Sequence, residues 1–216
     1  MRRPVDMGSW SRKAVFDFYG GVSNPFYMVT FRQDVTDVYS FAKRNGLSFY
    51  LCLMHLVSRA VNQVEAFRYS VRDGELFLLD KRSPSFTDLA EGSDTFRIVT
   101  MPDLEDNIFA FCKTAEELRR NQTVFLNPAA ETDELIYISC LPWFDLTALT
   151  NERDLSTKET REDNIPRISW GKYVSCSRKK ELGLSVEVNH RFIDGIHLGM
   201  FKKALDAMIR NLPVNI

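Results

Sequence analysis

The sequence is poor in cysteine, and its cysteines are spaced too widely for a metal knuckle or a redox pair. They are Cys52, Cys112, Cys140 and Cys176, and no Cys-x-x-Cys motif occurs. We therefore expect neither a disulfide framework nor a zinc site of that kind. Long apolar runs are also missing, which argues against a membrane-spanning helix and, after Arg2 and Arg3, against a signal peptide. These absences predict a cytoplasmic protein.

An excess of charge of either sign is missing too. The 28 lysines and arginines nearly balance 29 aspartates and glutamates, and the formal net charge is −1. The whole molecule has no field that would hold nucleic acid or an anionic membrane, so an anionic ligand has to be bound locally. No repeat, low-complexity tract or Gly/Ser-rich linker interrupts the 216 residues. The simplest interpretation is one compact domain over residues 1–216.

Strand and helix signals follow one another without strict alternation. Apolar, aromatic and β-branched runs predict strands at residues 26–31, 95–101 and 135–141. Helices are predicted at residues 34–45, 49–64, 103–121 and 196–211. The pair Asp73-Gly74 predicts a hairpin within residues 69–79, and the charged turn at residues 178–181 predicts another within 173–189. This mixture favours an α+β fold.

A polar loop between the last predicted strand and the last predicted helix carries the residues best suited to chemistry. It contains His190, Asp194, Gly195 and His197, and rigid elements at both ends would aim its side chains. Gly195 would let the backbone turn tightly. Asp194 could cap the helix, accept a hydrogen bond from the loop, or pair with a buried arginine. On pattern alone, a structural Asp cap beside an incidental histidine fits as well as catalysis.

The three histidines also permit other interpretations. His55 lies in an apolar helical run and is expected to be a packed core residue. His190, His197 and Asp194 are close enough in sequence to form a metal site. No third cluster of His, Cys or carboxylates supports one, so we expect no metal.

The run from His190 to Gly195, followed by His197 and Phe201, resembles the His-x-x-x-Asp-Gly signature of the chloramphenicol acetyltransferases. Similar stretches follow in the family's order from about Trp10 to Arg210. They are residues 10–13, 16–19, 60–63, 72–76, 139–143 and 171–173. The resemblance implies a single domain with a mixed β-sheet packed with helices. It also implies a homotrimer with active sites at the subunit interfaces.

The family's mechanism suggests roles for five residues of this chain. His190 would take the proton from an acceptor hydroxyl, which would then attack the thioester of acetyl-CoA directly, because a neutral imidazole is basic near pH 7. Ser139 matches the serine that donates to the oxyanion. Ser169 stands where the family has a threonine that holds a water. Asp194 and Arg12 match a buried ion pair that shapes the catalytic loop.

The resemblance also assigns binding residues. Tyr173, Lys172 and Tyr50 are candidates for contact with coenzyme A, although a surface aromatic and a solvated lysine remain open as alternatives. Tyr19 and Tyr27 would form part of the acceptor wall. In this interpretation Tyr19 and His190 come from different subunits.

Four positions depart from the family pattern. Asn189 stands where the signature often has a second histidine, and Pro25 replaces a small residue. Asn127 falls where an aromatic commonly packs on chloramphenicol. The stretch at residues 144–167 is longer and more charged than usual. The residues expected to act in catalysis therefore keep the functional groups of the family pattern, while the acceptor pocket departs from it.

The sequence predicts an enzyme that acetylates a hydroxyl of chloramphenicol or of a similarly sized molecule. Two alternatives stay open at this point. One is the acyltransferase core of dihydrolipoamide complexes, although the tethered lipoyl domain and linkers of that class are missing from this sequence. The other is a non-enzymatic trimeric binding protein on the same scaffold. The joint presence of Arg12, Ser139, His190 and Asp194 argues against it.

Overall fold

The computed structural model describes residues 2–212, in which a mixed β-sheet carries most helices on one face. The strands are β1 (Arg2–Pro4), β2 (Phe26–Asp34), β3 (Tyr69–Arg72), β4 (Glu75–Leu79), β5 (Ser83–Leu89), β6 (Phe96–Thr100), β7 (Leu135–Leu141), β8 (Arg167–Gly171), β9 (Val174–Cys176) and β10 (Lys179–Asn189). The helices are α1 (Lys13–Gly20), α2 (Thr36–Asn45), α3 (Phe49–Gln63), α4 (Ile108–Asn121), α5 (Lys158–Glu162) and α6 (Gly195–Arg210).

The main sheet of the described residues has seven strands. Its order is β2-β10-β8-β7-β5-β6, with β9 paired to the first part of β10. The pairs β5–β7 and β7–β8 are parallel and the other pairs are antiparallel. Strands β1, β4 and β3 form a separate small antiparallel sheet. The α+β class and the mixed sheet are thus confirmed.

The two predicted hairpins form, but their turns differ from each other. At the first, Asp73 and Gly74 both adopt positive φ, 53° and 79°, as the tight turn between β3 and β4 requires. At the second, the turn lies earlier than predicted. Ser177 has a φ of 54° and β10 already begins at Lys179, so most of the charged run belongs to the strand.

Other boundaries follow from local chemistry. Strand β7 has the predicted bounds. The helix predicted at residues 103–121 begins only at Ile108, because the side chain of Asn107 caps it by accepting from the backbone of Phe109 at 2.8 Å and Ala110 at 3.2 Å. The sequence pattern does not predict β5, since that segment is largely polar and contains Pro84.

The hydrophobic core lies between the helices and one face of the main sheet. Ten of the fifteen residues of α3 are buried, and His55 among them is 4% exposed, which confirms its core position. The sheet face under α3 is apolar and includes Phe86, Ile138, Trp170 and Val186. Because side chains alternate along a strand, the opposite face carries the intervening polar residues. No helix within residues 2–212 is long and apolar enough to cross a membrane.

The chain between β7 and β8 covers that opposite, polar face. We refer to residues 142–166 as the β7–β8 connection. At Gly183 a Cβ would overlap the carbonyl oxygen of Leu146, and at Gly171 it would press on the carbonyl of Phe144. The two glycines therefore let the connection lie directly on β8 and β10.

Candidate active site

His190 follows β10 directly, and its backbone is bonded on both sides. Its N–H donates to the carbonyl of Pro25 at 2.8 Å. Its carbonyl accepts from Nη2 of Arg12 at 3.0 Å. The backbone that carries the imidazole is thus tied to the start of β2 and to the segment before α1.

The imidazole of His190 lies between two tyrosine rings. The Tyr19 ring stacks on it with centroids 4.2 Å apart, and the Tyr27 ring is tilted at 4.5 Å. Its Nε2 lies 3.2 Å from Oδ1 of Asp194, while 31% of the His190 side chain remains exposed. A substrate can therefore reach a ring whose orientation is already fixed.

Asp194 connects this histidine to Arg12. The guanidinium of Arg12 donates to both carboxylate oxygens of Asp194, with Nη2 at 2.8 Å from Oδ1. Hydrogen bonding to Arg12 lowers the pKa of Asp194 below its ordinary value, against the opposing effect of burial. An ionised carboxylate carries a full negative charge, and its Oδ1 lies 3.2 Å from Nε2 of His190. The predicted ion pair of Arg12 with Asp194 is present, and Asp194 also lies against the His190 imidazole.

His197 and Tyr27 fix the loop between His190 and α6. The N–H of Asp194 donates to Nδ1 of His197 at 2.9 Å. Burial, reinforced by the charge of Arg12, lowers the pKa of His197, which keeps this imidazole a neutral acceptor. The Tyr27 hydroxyl donates to the carbonyl of Ile193 at 3.2 Å. Burial and the neighbouring charge of Asp194 raise the pKa of Tyr27 to about 12, so it remains a donor.

Sequence reasoning missed this role of His197. The signal was its position three residues after Asp194, where the third residue of a helix commonly bonds back to the capping residue. It also assigned a tight turn to Gly195, which is wrong. Gly195 simply begins α6, has no positive φ, and leaves open space within this chain where a Cβ would lie.

We refer to Arg12, Tyr19, Tyr27, His190 and Asp194 as the His190 cluster. The expectation that Tyr19 and His190 come from different subunits is corrected by their stacking within one chain. The reason is the packing of α1 beside the loop. The Arg191 guanidinium lies 3.8 Å from the Phe16 ring centre and its Nε donates to the Phe16 carbonyl, which holds α1 and Tyr19 next to His190.

Ser139 and Ser169 lie in the middle of the sheet, on neighbouring strands. In the register of the parallel and antiparallel pairs, Ser139 of β7 is opposite Ser169 of β8, which is opposite Ser185 of β10. The Ser139 hydroxyl is 3.2 Å from that of Thr87 on β5. We call Thr87, Ser139, Ser169 and Ser185 the hydroxyl row. It lies on the sheet face that the β7–β8 connection covers.

Within one chain the hydroxyl row and the His190 cluster are too far apart to act on one substrate. Ser185 precedes His190 by five positions, about 16 Å along a strand, and Ser139 lies two strands farther across, about 10 Å. An oxyanion donor and a base must both lie about 3 Å from reacting atoms. The faces differ as well, because Tyr27, which contacts the His190 ring, pairs with Val188 on the helix-covered face.

The remaining predicted binding residues lie outside both groups. Tyr173 packs against Tyr39 and Phe49, and Lys180 lies 5.1 Å from its ring centre. The Lys172 side chain is exposed, and its backbone N–H donates to the Phe144 carbonyl at 2.6 Å. Their contacts with a coenzyme stay predictions.

Tyr50 and Asn127 have partners within the chain. The Tyr50 ring packs on Phe86 and Trp170, and its hydroxyl donates to the Thr87 carbonyl at 3.1 Å, so burial raises its pKa. Asn127 is exposed, and its side-chain oxygen accepts from the N–H of Ala129 at 3.2 Å. Among residues 2–212, no three His, Cys, Asp or Glu side chains are grouped to hold a metal ion.

Comparison with known proteins gives one family. The model of the family described as chloramphenicol acetyltransferase matches residues 2–206. Chloramphenicol acetyltransferase 2 of Escherichia coli is 26% identical over 211 residues, which cover 96% of this chain and 97% of that protein. The chloramphenicol acetyltransferase of Staphylococcus aureus is 27% identical over 209 residues, 94% of each chain.

Solved structures agree on the fold. A chloramphenicol acetyltransferase superposes with a TM-score of 0.87 at 24% identity, over 97% of this chain and 100% of the other. A probable dihydrolipoamide acetyltransferase from Listeria monocytogenes 4b F2365 gives a TM-score of 0.66 at 14% identity, over 99% and 97% of the two chains.

Proposed function

The chain belongs to the chloramphenicol acetyltransferase family, and from this premise we propose that it is an acetyl-CoA-dependent O-acetyltransferase. Its acceptor is a hydroxyl of chloramphenicol or of a similarly sized molecule, and it acts as a homotrimer in the cytoplasm. The observation that carries the proposal is the His190 imidazole. Its Nε2 lies 3.2 Å from Oδ1 of Asp194, and 31% of the side chain is exposed to solvent.

In the proposed reaction, proton transfer accompanies acyl transfer. His190 accepts the proton of the acceptor hydroxyl as the oxygen attacks the thioester carbonyl of acetyl-CoA. The tetrahedral oxyanion accepts a hydrogen bond from the Ser139 hydroxyl, and Ser169 holds a water nearby. When the intermediate collapses, the C–S bond breaks and the proton on His190 passes to the leaving sulfur. The Asp194 carboxylate stabilises the imidazolium formed between the two steps.

The distance between the two groups of residues supports a site shared by two chains. His190 and Ser139 of one chain cannot reach the same carbonyl, so we assign each site the His190 cluster of one protomer and the hydroxyl row of its neighbour. A ring of three chains joined by such head-to-tail contacts forms three identical sites.

The coenzyme would lie beside the hydroxyl row. Lys172 and Tyr173 follow β8, at the end of that strand that lies away from the His190 cluster. Lys180 adds a second cation next to the Tyr173 ring. The exposed Lys172 and the half-buried Lys180 suit the anionic end of coenzyme A, and an aromatic ring suits its adenine. Tyr19 and Tyr27 supply aromatic surface for the acceptor next to His190.

The proposal is tested by following release of free thiol from acetyl-CoA with chloramphenicol and a panel of small alcohols. We expect acceptor-dependent release, and a loss of about 10²- to 10⁴-fold in kcat for His190→Ala. The matched control is His55→Gln, which removes a buried imidazole distant from the site. Thermal melting and the assembly size show that each variant is folded. Thiol release by folded His190→Ala at the wild-type rate would refute the mechanism.

A further inference from the structure

Three alternate positions at and just beyond the end of β10 bind the β7–β8 connection. Glu187, Asn189 and Arg191 alternate with residues of the core face, and 1%, 1% and 7% of their surfaces are exposed. Each of them contacts residues 151–163 of the connection. The two that flank His190 are Asn189 and Arg191, so the backbone of the base lies between two attachment points.

Both the nitrogen and the oxygen of the Asn189 side-chain amide form hydrogen bonds. Its Nδ2 donates to the carbonyls of Arg161 at 2.8 Å and Asp163 at 3.0 Å. Its Oδ1 accepts from the backbone N–H of Arg191 at 3.0 Å. A neutral imidazole has one N–H donor and one acceptor nitrogen. A histidine here could satisfy only one of the two carbonyls of the connection.

Arg191 attaches the same connection to α1. Its Nη1 lies 3.3 Å from Oε1 of Glu162, and its Nε donates to the Phe16 carbonyl at 3.3 Å. A Cβ at Gly20 would lie 3.2 Å from the guanidinium, so the end of α1 is packed directly on it. The neighbouring Tyr19 ring is the one that stacks on His190.

Glu187 fixes the other end of the contact. It accepts from Nε of Arg153 at 2.7 Å and from Nδ2 of Asn151 at 2.9 Å. Arg153 also pairs with Asp163 and lies 3.7 Å from the ring centre of Phe26 on β2. The connection is thereby held against β10 and β2 at the position where both strands reach the His190 loop.

We propose that the β7–β8 connection is a positioning element for His190, and that Asn189, Arg191 and Glu162 are its positioning residues. This proposal rests on the proposed role of His190 as the base. The connection holds the backbone on both sides of the imidazole and, through Arg191 and α1, the tyrosine stacked on it. Because a misplacement of about 1 Å can cost about 10²-fold in rate, loosening these contacts reduces turnover without removing any group that touches substrate.

The test uses the intact protein and the variants Asn189→Ala, Glu162→Ala and Glu162→Gln. The control is Asp133→Ala, which breaks the ion pair of Asp133 with Arg72 of β3 and removes none of the bonds of Glu187, Asn189 or Arg191. We expect kcat to fall about 10- to 100-fold in both alanine variants, with KM for acetyl-CoA within about twofold of wild type. Glu162→Gln keeps an acceptor for Arg191 and should recover most of that loss. Asp133→Ala should melt earlier at unchanged kcat.

A second readout does not depend on activity. The chain has three histidines, so their imidazole NMR signals can be assigned by substituting each in turn. We expect the His190 signal to move in Asn189→Ala and Glu162→Ala but not in Asp133→Ala. If the wild type transfers no acetyl group, the proposed function fails. The His190 signal would still show whether the β7–β8 connection positions the imidazole. An unmoved His190 signal in folded Glu162→Ala, whether or not Asn189→Ala folds, would overturn the proposal.

Discussion

The His190 cluster and the hydroxyl row differ in how completely one chain builds them. In the cluster, Arg12 bonds to Asp194 and to the backbone carbonyls of His190 and Arg191, and the Asp194 carboxylate lies 3.2 Å from Nε2 of His190. In the row, the Ser139 hydroxyl contacts another hydroxyl, that of Thr87, which can act as donor or acceptor. The His190 imidazole is therefore oriented by its own chain, while the Ser139 hydroxyl keeps bonding capacity for a ligand.

The difference follows from where each group lies in the fold. The cluster lies at a junction of strand, loop and helix, where backbone groups have no ladder partner and must be bonded by side chains. Arg12 and His197 do so for the carbonyls of His190 and Arg191 and for the N–H of Asp194. The row lies within paired strands, whose backbone groups are already satisfied. Its hydroxyls are therefore not needed to hold the fold.

The largest expected change in kcat comes from variants that inactivate either the His190 cluster or the hydroxyl row. Ser139→Ala alone should lower kcat by about 10²- to 10³-fold, the usual cost of one oxyanion donor. Mixed trimers of Ser139→Ala and His190→Ala chains should regain activity, because some interfaces combine an intact cluster with an intact row. Random assembly makes about a quarter of the sites intact.

The measurement is the rate of acetyl transfer after the two variants are dissociated together and reassembled. The control is each variant reassembled with itself, which should stay inactive. Since Tyr19 belongs to the His190 cluster of the same chain, a Tyr19→Ala and His190→Ala mixture should not recover. Recovery in that mixture, or none with Ser139→Ala, would contradict a site divided between these two groups.

The cluster could be predicted from the sequence better than the row. His190, Asp194 and Gly195 form a continuous motif, and Arg12 and Tyr19 lie within a second recognisable stretch. No local sequence pattern predicts the spatial order of the strands. The alignment of Ser139, Ser169 and Ser185 across three strands depends on a register that only the folded sheet fixes.

The second effect tests how strongly the cluster depends on its ion pair. Asp194→Asn leaves Arg12 without its charged partner, and we expect a loss of about 1–3 kcal/mol in the free energy of unfolding. This is less than the cost of breaking a fully buried pair, about 3–5 kcal/mol, because 35% of the Asp194 side chain is exposed. Chemical denaturation measures it. The matched variant Ser139→Ala should unfold as wild type does.

The sign of the pH dependence follows from the lowered pKa of Asp194. Its ordinary value is 3.8, so the carboxylate contributes its full stability above that pH and loses it as the pH falls through the lowered folded value. The curves of wild type and Asp194→Asn should therefore converge in strong acid. A wild-type melting temperature for Asp194→Asn, together with a shifted pH profile of kcat, would instead indicate a proton-transfer role.

The β7–β8 connection could not be predicted in this way. Its charged residues suggest a solvated loop, yet Arg153 and Glu162 keep only 8% and 13% of their side-chain surface exposed. Their partners, Glu187 on β10 and Arg191 just after it, lie about 30 residues away in sequence. Pairing between distant charges leaves no local periodic signal, so the sequence shows only that this stretch is unusual.

A smaller effect concerns the acceptor pocket. It tests whether the segment around Asn127, near the hydroxyl row, forms part of the pocket wall. Asn127 precedes β7, which carries Ser139, and puts an exposed amide where the resemblance predicts an aromatic ring. An aromatic contact contributes roughly 0.5–1.5 kcal/mol, and about 1.4 kcal/mol corresponds to a tenfold change in binding. We expect Asn127→Phe to lower KM for chloramphenicol by up to about tenfold. Asn127→Ser, which keeps a side-chain oxygen for Ala129, should leave KM unchanged, and the same KM in both variants would remove Asn127 from the wall.

The smallest expected effect is on the pH dependence of stability, and it tests how His197 holds the His190 cluster. Neutral His197 accepts the N–H of Asp194, and its pKa is lowered from the ordinary 6.5 by burial and then by Arg12, while Asp194 acts in the opposite direction. The unfolded chain therefore binds this proton more tightly. The stabilisation is complete above about pH 6.5 and decreases as the pH falls through the lowered folded value. Gln at this position bonds back to the capping residue without titrating.

We expect His197→Gln to lose less stability than wild type between about pH 7.5 and about pH 5.5, by less than about 1 kcal/mol. Denaturant unfolding at the two pH values measures this difference. His55 also has a pKa lowered by burial, so part of the wild-type slope should remain in His197→Gln and disappear only in the double variant with His55→Gln. An unchanged slope in His197→Gln would mean that the bond to Asp194 tolerates a protonated imidazole. The loop would then be held by Arg12 and Tyr27, and Arg12→Met should free the loop as well as Asp194.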